Sequence, residues 1–295
     1  MSTNISVPAA VPADLNAPEE HVARPGRRPR ISRRRAWVLG LRIALFIVLV
    51  AGWEACARSG VVDPFFFGEP SKIATQLKTW VENGTDAGPL SEQIAVTLQE
   101  AAIGFLIGVV LGVICGIALG RVQLLADIFS PYIKVMNSIP RIVLGSIFIL
   151  WFGLGVTSKI ALAVVLVFFA VFFNAFQGAR EVDRNLVANA RILGASRRQV
   201  TRHVVLPSAM TWIIASMHVS FGFALIGAIV GEFLGAQKGL GLLISQAQGT
   251  FNADGVFAAM VIIAIVALLA EGLITLLERR LLAWRPPAGS SADAL

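Results

Sequence analysis

Apolar residues run along this chain in blocks of roughly twenty, separated by short polar stretches, the pattern of helices that cross a bilayer. The blocks fall at about 37–57, 97–119, 139–156, 159–178, 208–233 and 255–277. They predict an all-α membrane protein with about six transmembrane helices. The first block is longer than a signal-peptide core and no small-residue cleavage site follows it, so it reads as an uncleaved span. Trp37 and Trp53 bracket it, sixteen residues apart, or ~24 Å along a helix, the separation at which interfacial tryptophans sit.

The polar stretches divide the rest. Residues 1–36 are Pro-rich and basic, with seven arginines between Arg24 and Arg35. Such a segment cannot bury a core and is expected to be a disordered tail; residues 284–295 form a second tail. Between the first two spans, Pro64, Gly68 and Pro70 mark a surface loop that carries a short amphipathic helix, Ser71 to Val81. The stretch Leu124–Ser138, with Asp127, Pro131, Lys134 and Asn137, is expected to lie along the membrane face before a third span begins near Pro140.

Composition agrees with a membrane assignment: 56% of the 295 residues are hydrophobic and 15% charged, against about 25% charged in soluble domains. The only cysteines, Cys56 and Cys115, lie in apolar runs, which excludes a disulfide framework or a cysteine zinc site. His21, His203 and His218 are too scattered for a metal centre. The net charge of +7 raises nucleic acid as a partner, but the distribution of charge points to the membrane instead. With the N-terminus in the cytoplasm, eighteen Lys and Arg residues fall on that side and five on the other, with Lys134 and Arg141 unassigned. Positive residues stay cytoplasmic, so both termini and the segment 179–207 are placed inside.

Chemical motifs are mostly excluded. None of the five lysines stands in a P-loop, so the chain cannot hydrolyse ATP by that route. It also lacks H-E-x-x-H, G-x-S-x-G and paired carboxylates at helical spacing within a span, with Glu232 and Glu271 near span ends. Gly104, Gly108, Gly112, Gly116 and Gly120 follow one ridge of the second span, a groove where another helix backbone can approach. Polar residues in or beside spans are costly in lipid. Asn137, Ser138 and Arg141 flank Pro140, Asn174 ends the fourth span near Gln177, and Ser216, His218 and Ser220 line the fifth. Helix–helix hydrogen bonding explains each of them singly, and a translocation pathway explains the set.

The segment ARILGASRRQVTRHVVLP, Ala190–Pro207, is basic and flanked by apolar chain. Asn185–Leu193 forms one short helix, with Leu186, Ala190 and Leu193 on one side. Gly194 provides a turn, and Ser196 with Gln199 forms a capping box that starts a second helix at Arg197. Taken alone, this is either a docking hairpin or an amphipathic one lying on membrane lipid with its arginines toward the phosphates.

Gly194, Val204, Leu206 and Pro207 resemble the EAA loop of permease subunits in bacterial ABC importers that work with a binding protein. The family's Glu-Ala-Ala stands here as Ala188, Asn189 and Ala190, so the acidic side chain is missing. PFFFGEPSKIATQL, SIPRIVLGSIFILWFGLG and GEFLGAQKGLGLLISQA are similar to the nitrate/sulfonate/taurine branch, and the resemblance covers residues 60–283. It implies a coupling helix, Gly194, Ala195, Ser196, Arg197 and Arg198 included, that docks on a separate cytoplasmic ATPase. It further implies two ATPase subunits that bind ATP and Mg, an extracytoplasmic binding protein, a second permease copy as a homodimer, and a multi-pass inner-membrane location. No cofactor is expected in this chain. The implied cargo is a sulfonate, taurine or nitrate-like anion, with a thiamine-pyrimidine precursor as alternative. An ion-coupled secondary transporter would instead need inverted repeats and membrane-embedded carboxylates, and neither is visible in the sequence. A membrane enzyme is the more distant reading.

Overall fold

The computed structural model describes residues 33–182 and 184–281, and among these the regular structure is all helix, with no strand. Of the tails expected at 1–36 and 284–295, residues 1–32 and 284–295 lie outside the described residues, while 33–36 belong to the first turn of the opening helix. The chain divides at Leu49 into two compact units. In order, the helices are α1 (Arg33–Arg58), α2 (Pro64–Phe67), α3 (Pro70–Asn83), α4 (Leu90–Arg121), α5 (Gln123–Ser138) and α6 (Val143–Phe152). There follow α7 (Val156–Arg180), α8 (Arg184–Ile192), α9 (Arg197–Val200), α10 (Leu206–Leu234), α11 (Leu240–Gly249) and α12 (Ala253–Leu281), with a π-helical turn, Thr201–Val205, between α9 and α10.

Helices α1, α4, α7, α10 and α12 each contain a stretch long and apolar enough to cross a bilayer. The expected third span, 139–156, takes a different form: α5 and α6 meet at a 97° bend. The cause is local. Proline at 140 disfavours helical backbone in the residue before it, and Ile139 is extended (φ −74°, ψ 128°). Gly153, at φ +75°, then ends α6. So the stretch 124–138, expected along the membrane face, forms the first arm of a broken span.

The glycine ridge shows that this pair returns the chain along the length of the bundle. A methyl group at Gly108 would meet Val167 Cβ at 2.7 Å, at Gly112 Val171 Cβ at 2.9 Å, at Gly116 Ala175 Cβ at 2.7 Å and at Gly120 Ala179 Cβ at 2.8 Å. At Gly104 it would overlap Ala163. Both series ascend together, so α4 and α7 run parallel with backbones in close contact. Residues 122–155 must therefore return the chain from the level of Arg121 to the level of Thr97, ~36 Å at ~1.5 Å per residue. α5 and α6 make that crossing. Against α7, α10 is antiparallel: Gly227 abuts Ala163, Gly231 abuts Lys159, and Gly178 abuts Trp212.

Between these helices lies a core of Ala101, Phe105, Val167, Val171, Ala224 and Leu225. Outward faces stay apolar, with Leu106, Ile114, Leu269 and Leu273 exposed, as a lipid-facing bundle requires. At one end, α3 packs Ile73 and Trp80 against α12, and Asp254 Oδ1 accepts the Glu69 N–H at 2.8 Å.

Candidate functional site

At the other end, where α7 stops, the chain builds the hairpin that joins it to α10. α8 ends in a Schellman turn. The Gly194 N–H donates to Arg191 O at 2.9 Å and the Ala195 N–H to Ala190 O at 3.0 Å, with Gly194 at φ +81°. Such a backbone costs most residues with a Cβ about 1–2 kcal/mol, asparagine and aspartate least. Two residues on, the Ser196 N–H donates to Gln199 Oε1 at 2.8 Å and the Gln199 N–H to Ser196 Oγ at 3.3 Å. Both halves of the capping box are therefore formed. These bonds are local in sequence, so the hairpin's bend is written into Gly194, Ser196 and Gln199 alone.

The second arm does not break at Leu206–Pro207; it runs through the π turn straight into α10. Pro207 has no N–H to give, and its ring crowds the carbonyl four residues back. The wider turn relieves this, with the Leu206 N–H reaching Thr201 O. The hairpin is seated by Val182, Val200 and Val205, which pack with Ala179 and Ile117 at the ends of α7 and α4. Its tip is bare: Ile192 and Leu193 are 82% and 86% exposed, and Ala188, Asn189, Arg197 and Arg198 are exposed beside them.

A second polar assembly sits at the opposite end of α7. Gln93, Thr97, Glu100, Lys159 and Glu232 are all buried. Thr97 Oγ1 donates to Glu232 Oε1 at 2.7 Å and accepts the Leu240 N–H at 2.9 Å. Glu232 Oε2 accepts the Gly241 N–H and Gln93 Oε1 the Gly239 N–H, each at 2.7 Å. The first amides of α11 are thus capped by side chains of α4 and α10, with a carboxylate where the helix dipole favours one. Glu100 lies beside Glu232, and its Oε2 has no hydrogen-bond partner. The Lys159 ammonium donates to Leu154 O at 2.7 Å and Gly155 O at 3.2 Å. Gly239 and Gly241 are required here, because a Cβ would overlap the Glu232 carboxyl or the Ile229 carbonyl. The sequence pattern predicts no membrane-embedded carboxylate and puts Glu232 near a span end. Glu100 and Glu232 are in fact buried carboxylates on span-forming helices.

The residues expected along a pathway lie in three places. Asn137, Ser138 and Arg141 gather at the α5–α6 bend: Arg141 bonds Asn137 Oδ1 and stacks over Phe169 of α7 at 4.9 Å, and Ser138 donates to Lys134 O. Asn174, farther along α7, bonds only Ala170 O of its own helix. Ser216 and Ser220 occupy the buried face of α10, Ser216 donating to Ile213 O at 2.6 Å. His218, between them, is half-buried. No hydrogen bond joins Arg141 to Ser216 or Ser220.

A family model for the inner membrane component of binding-protein-dependent transport systems matches residues 108–283. The chain belongs to this family. It is 34% identical, over 89% of its length and 91% of the relative's, to a Bacillus subtilis protein named as an aliphatic sulfonates transport permease, SsuC. The riboflavin transport system permease RibX of Chloroflexus aurantiacus is 33% identical over 89% of this chain and 97% of its own. The taurine transport system permease TauC of Escherichia coli is 30% identical over 86% and 94%. Among solved structures, a chain of the MetNI methionine ABC transporter in an inward-facing form superposes with a TM-score of 0.53 at 22% identity, covering 64% of this chain and 92% of that one. The shared feature there is the fold. This permease is thus a multi-pass inner-membrane subunit of an ABC importer, a transport component and not an enzyme.

Proposed function

We propose that this permease, as one of two identical copies, forms the translocation pathway for a small sulfonate or taurine-like anion handed over by an extracytoplasmic binding protein. Two separate ATPase subunits bind ATP and Mg2+ and drive it through the hairpin around Gly194. The observation that carries this reading is the hairpin itself. It is fixed by a Schellman turn and a capping box, seated on the ends of α4 and α7, and tipped by uncovered Ile192 and Leu193 between arginines. Exposed apolar side chains on a rigid turn are suited to a groove on a protein partner. The excess of Lys and Arg supports a cytoplasmic location for the hairpin and both termini.

Relatives named for sulfonates and taurine favour the anionic cargo. A second reading, a neutral or weakly polar heteroaromatic, is favoured by RibX and by the formylaminopyrimidine transport permease ThiX of Halalkalibacterium halodurans, which is 30% identical over 81% of this chain. Uptake of taurine, alkanesulfonates, nitrate, riboflavin and a formylaminopyrimidine by the assembled complex in proteoliposomes separates the two. ATP-dependent entry of a sulfonate supports the first; entry of only the heterocycles establishes the second. Crosslinking in membranes tests the paired arrangement, and a single permease copy in an active complex contradicts it.

A further inference from the structure

Where α4 and α7 reach the hairpin, two cavities share Gln123 and Arg180 as a common wall. The first, about 410 Å³, has Arg121, Arg180 and Arg191 among its lining residues. The second, about 240 Å³, runs between α4, α5 and α7 along Phe172, Phe173, Phe176, Ala126 and Ile133.

Among the described residues the polar cavity has an unbalanced charge. Among the described residues no carboxylate lines it and none of its three arginines is in an ion pair. Arg180 has only a 3.5 Å approach to Gln123 Oε1 and the face of Phe176 at 5.2 Å. Arg121 Nε is buried with no hydrogen-bond partner, and Arg191 is close enough to repel it. Glu181 is engaged by Gln177 at 2.7 Å. The apolar cavity carries Asp127 and Lys134 at its edge, Asp127 held by Gln123 Nε2 at 2.9 Å. Arginines that only reach toward water need no buried Nε and no adjoining apolar slot. Three arginines lining one cavity match the tetrahedral oxygens of a phosphate, which guanidinium groups bind in pairs of hydrogen bonds. A slot lined by phenylalanines, opening from that site between span-forming helices, matches a hydrocarbon chain.

We propose that the joined cavities bind one anionic phospholipid, its phosphate on Arg121, Arg180 and Arg191 and an acyl chain along Phe172, Phe173 and Phe176. Arg191 belongs to α8, so the lipid ties the first arm of the hairpin to the ends of α4 and α7. A carboxylate from a protein partner would fill the polar cavity and leave the apolar one empty. The proposal stands whatever the cargo.

The test is native mass spectrometry of the permease–ATPase complex titrated with phosphatidylglycerol or, at matched chains, phosphatidylcholine. The wild type retains one phosphatidylglycerol per permease against an excess of inorganic phosphate and does not retain phosphatidylcholine. Removing one cationic contact weakens retention about fivefold, so Arg191→Gln, on an exposed helix, loses that much, and Arg121→Gln/Arg191→Gln about twenty-five-fold. Lys78→Gln, far from the site, changes nothing. Equal retention in Arg191→Gln overturns the proposal. So does displacement by inorganic phosphate alone, which would make the site one for a free anion. Retention by the isolated permease that vanishes in the complex overturns it as well, because the pocket then belongs to the partner.

Discussion

Thr97 of α4 donates its hydroxyl hydrogen to Glu232 of α10 across 2.7 Å, a bond between residues 135 positions apart. Through the same two side chains the amides of Leu240 and Gly241 are satisfied, so three helices meet at one buried polar junction. Replacing Thr97 by Val keeps the shape and removes the hydroxyl. Glu232 Oε1 and the Leu240 N–H then lose their partner, and the expected cost is about 2 kcal/mol, read as a lowered unfolding temperature of the detergent-solubilised permease. Glu232→Ala is expected to cost more, since the Gly241 amide is abandoned too. An unchanged unfolding temperature in both variants would mean that water replaces the network.

The glycine ridge gives a prediction with an internal control. Gly112→Val brings a branched side chain against Val171 Cβ and the Phe168 carbonyl, only 2.9 and 3.0 Å from the added Cβ. Both helices must shift, at a cost of about 3 kcal/mol or more, with loss of folded material in fluorescence-detected size-exclusion profiles. Gly222→Ala, in α10, has nothing within 4 Å. It is expected to leave the profile unchanged or improve stability by up to about 1 kcal/mol.

Pro207 tests the register of the hairpin. With Pro207→Ala the missing N–H returns and the π turn at Thr201–Val205 can tighten to an ordinary helix. That rotates Arg197–Val200 by about 100° relative to α10. Unfolding temperature should hold or rise, while substrate-stimulated hydrolysis by the attached ATPase falls. Hydrolysis and transport both at wild-type levels would show that the hairpin's angular setting does not matter.

How far the sequence revealed these features follows the distance over which each is determined. The spans are legible because each is a run of neighbouring apolar residues. Gly194, Ser196 and Gln199 act within a few residues, so the turn and the capping box are legible in the sequence. Pro140 reads as the start of a span; its effect on Ile139 splits the span instead, and the arm before it, polar enough to suggest a surface stretch, is placed by the need to bring the chain back between two parallel helices, which no local pattern records. The glycine groove was visible, but its partner α7 was not, because register between two helices is absent from either alone. Glu100 and Glu232 were missed for the same reason: they are buried by helices far along the chain. A signal was present, since Gln93, Thr97 and Ala101 continue the face that carries Gly104 and Gly108, and polar side chains on a packing face call for partners.

Gly194 offers the most direct test of the central claim, that the hairpin transmits ATP hydrolysis on a separate subunit to this membrane pathway. Its φ is +81° and nothing lies within 4 Å of an added Cβ, so substitutions there act by backbone strain and not by crowding. Asparagine tolerates this conformation and valine does not. The measurement is ATP-driven uptake in proteoliposomes holding the permease, its ATPase and its binding protein, with Gly194→Asn and Gly194→Val compared at equal folded permease. The account predicts uptake that requires all three components, is largely kept by asparagine, and is lost with valine together with ATPase co-purification. Wild-type uptake in Gly194→Val, or uptake by the permease alone on an ion gradient without ATP, would contradict it.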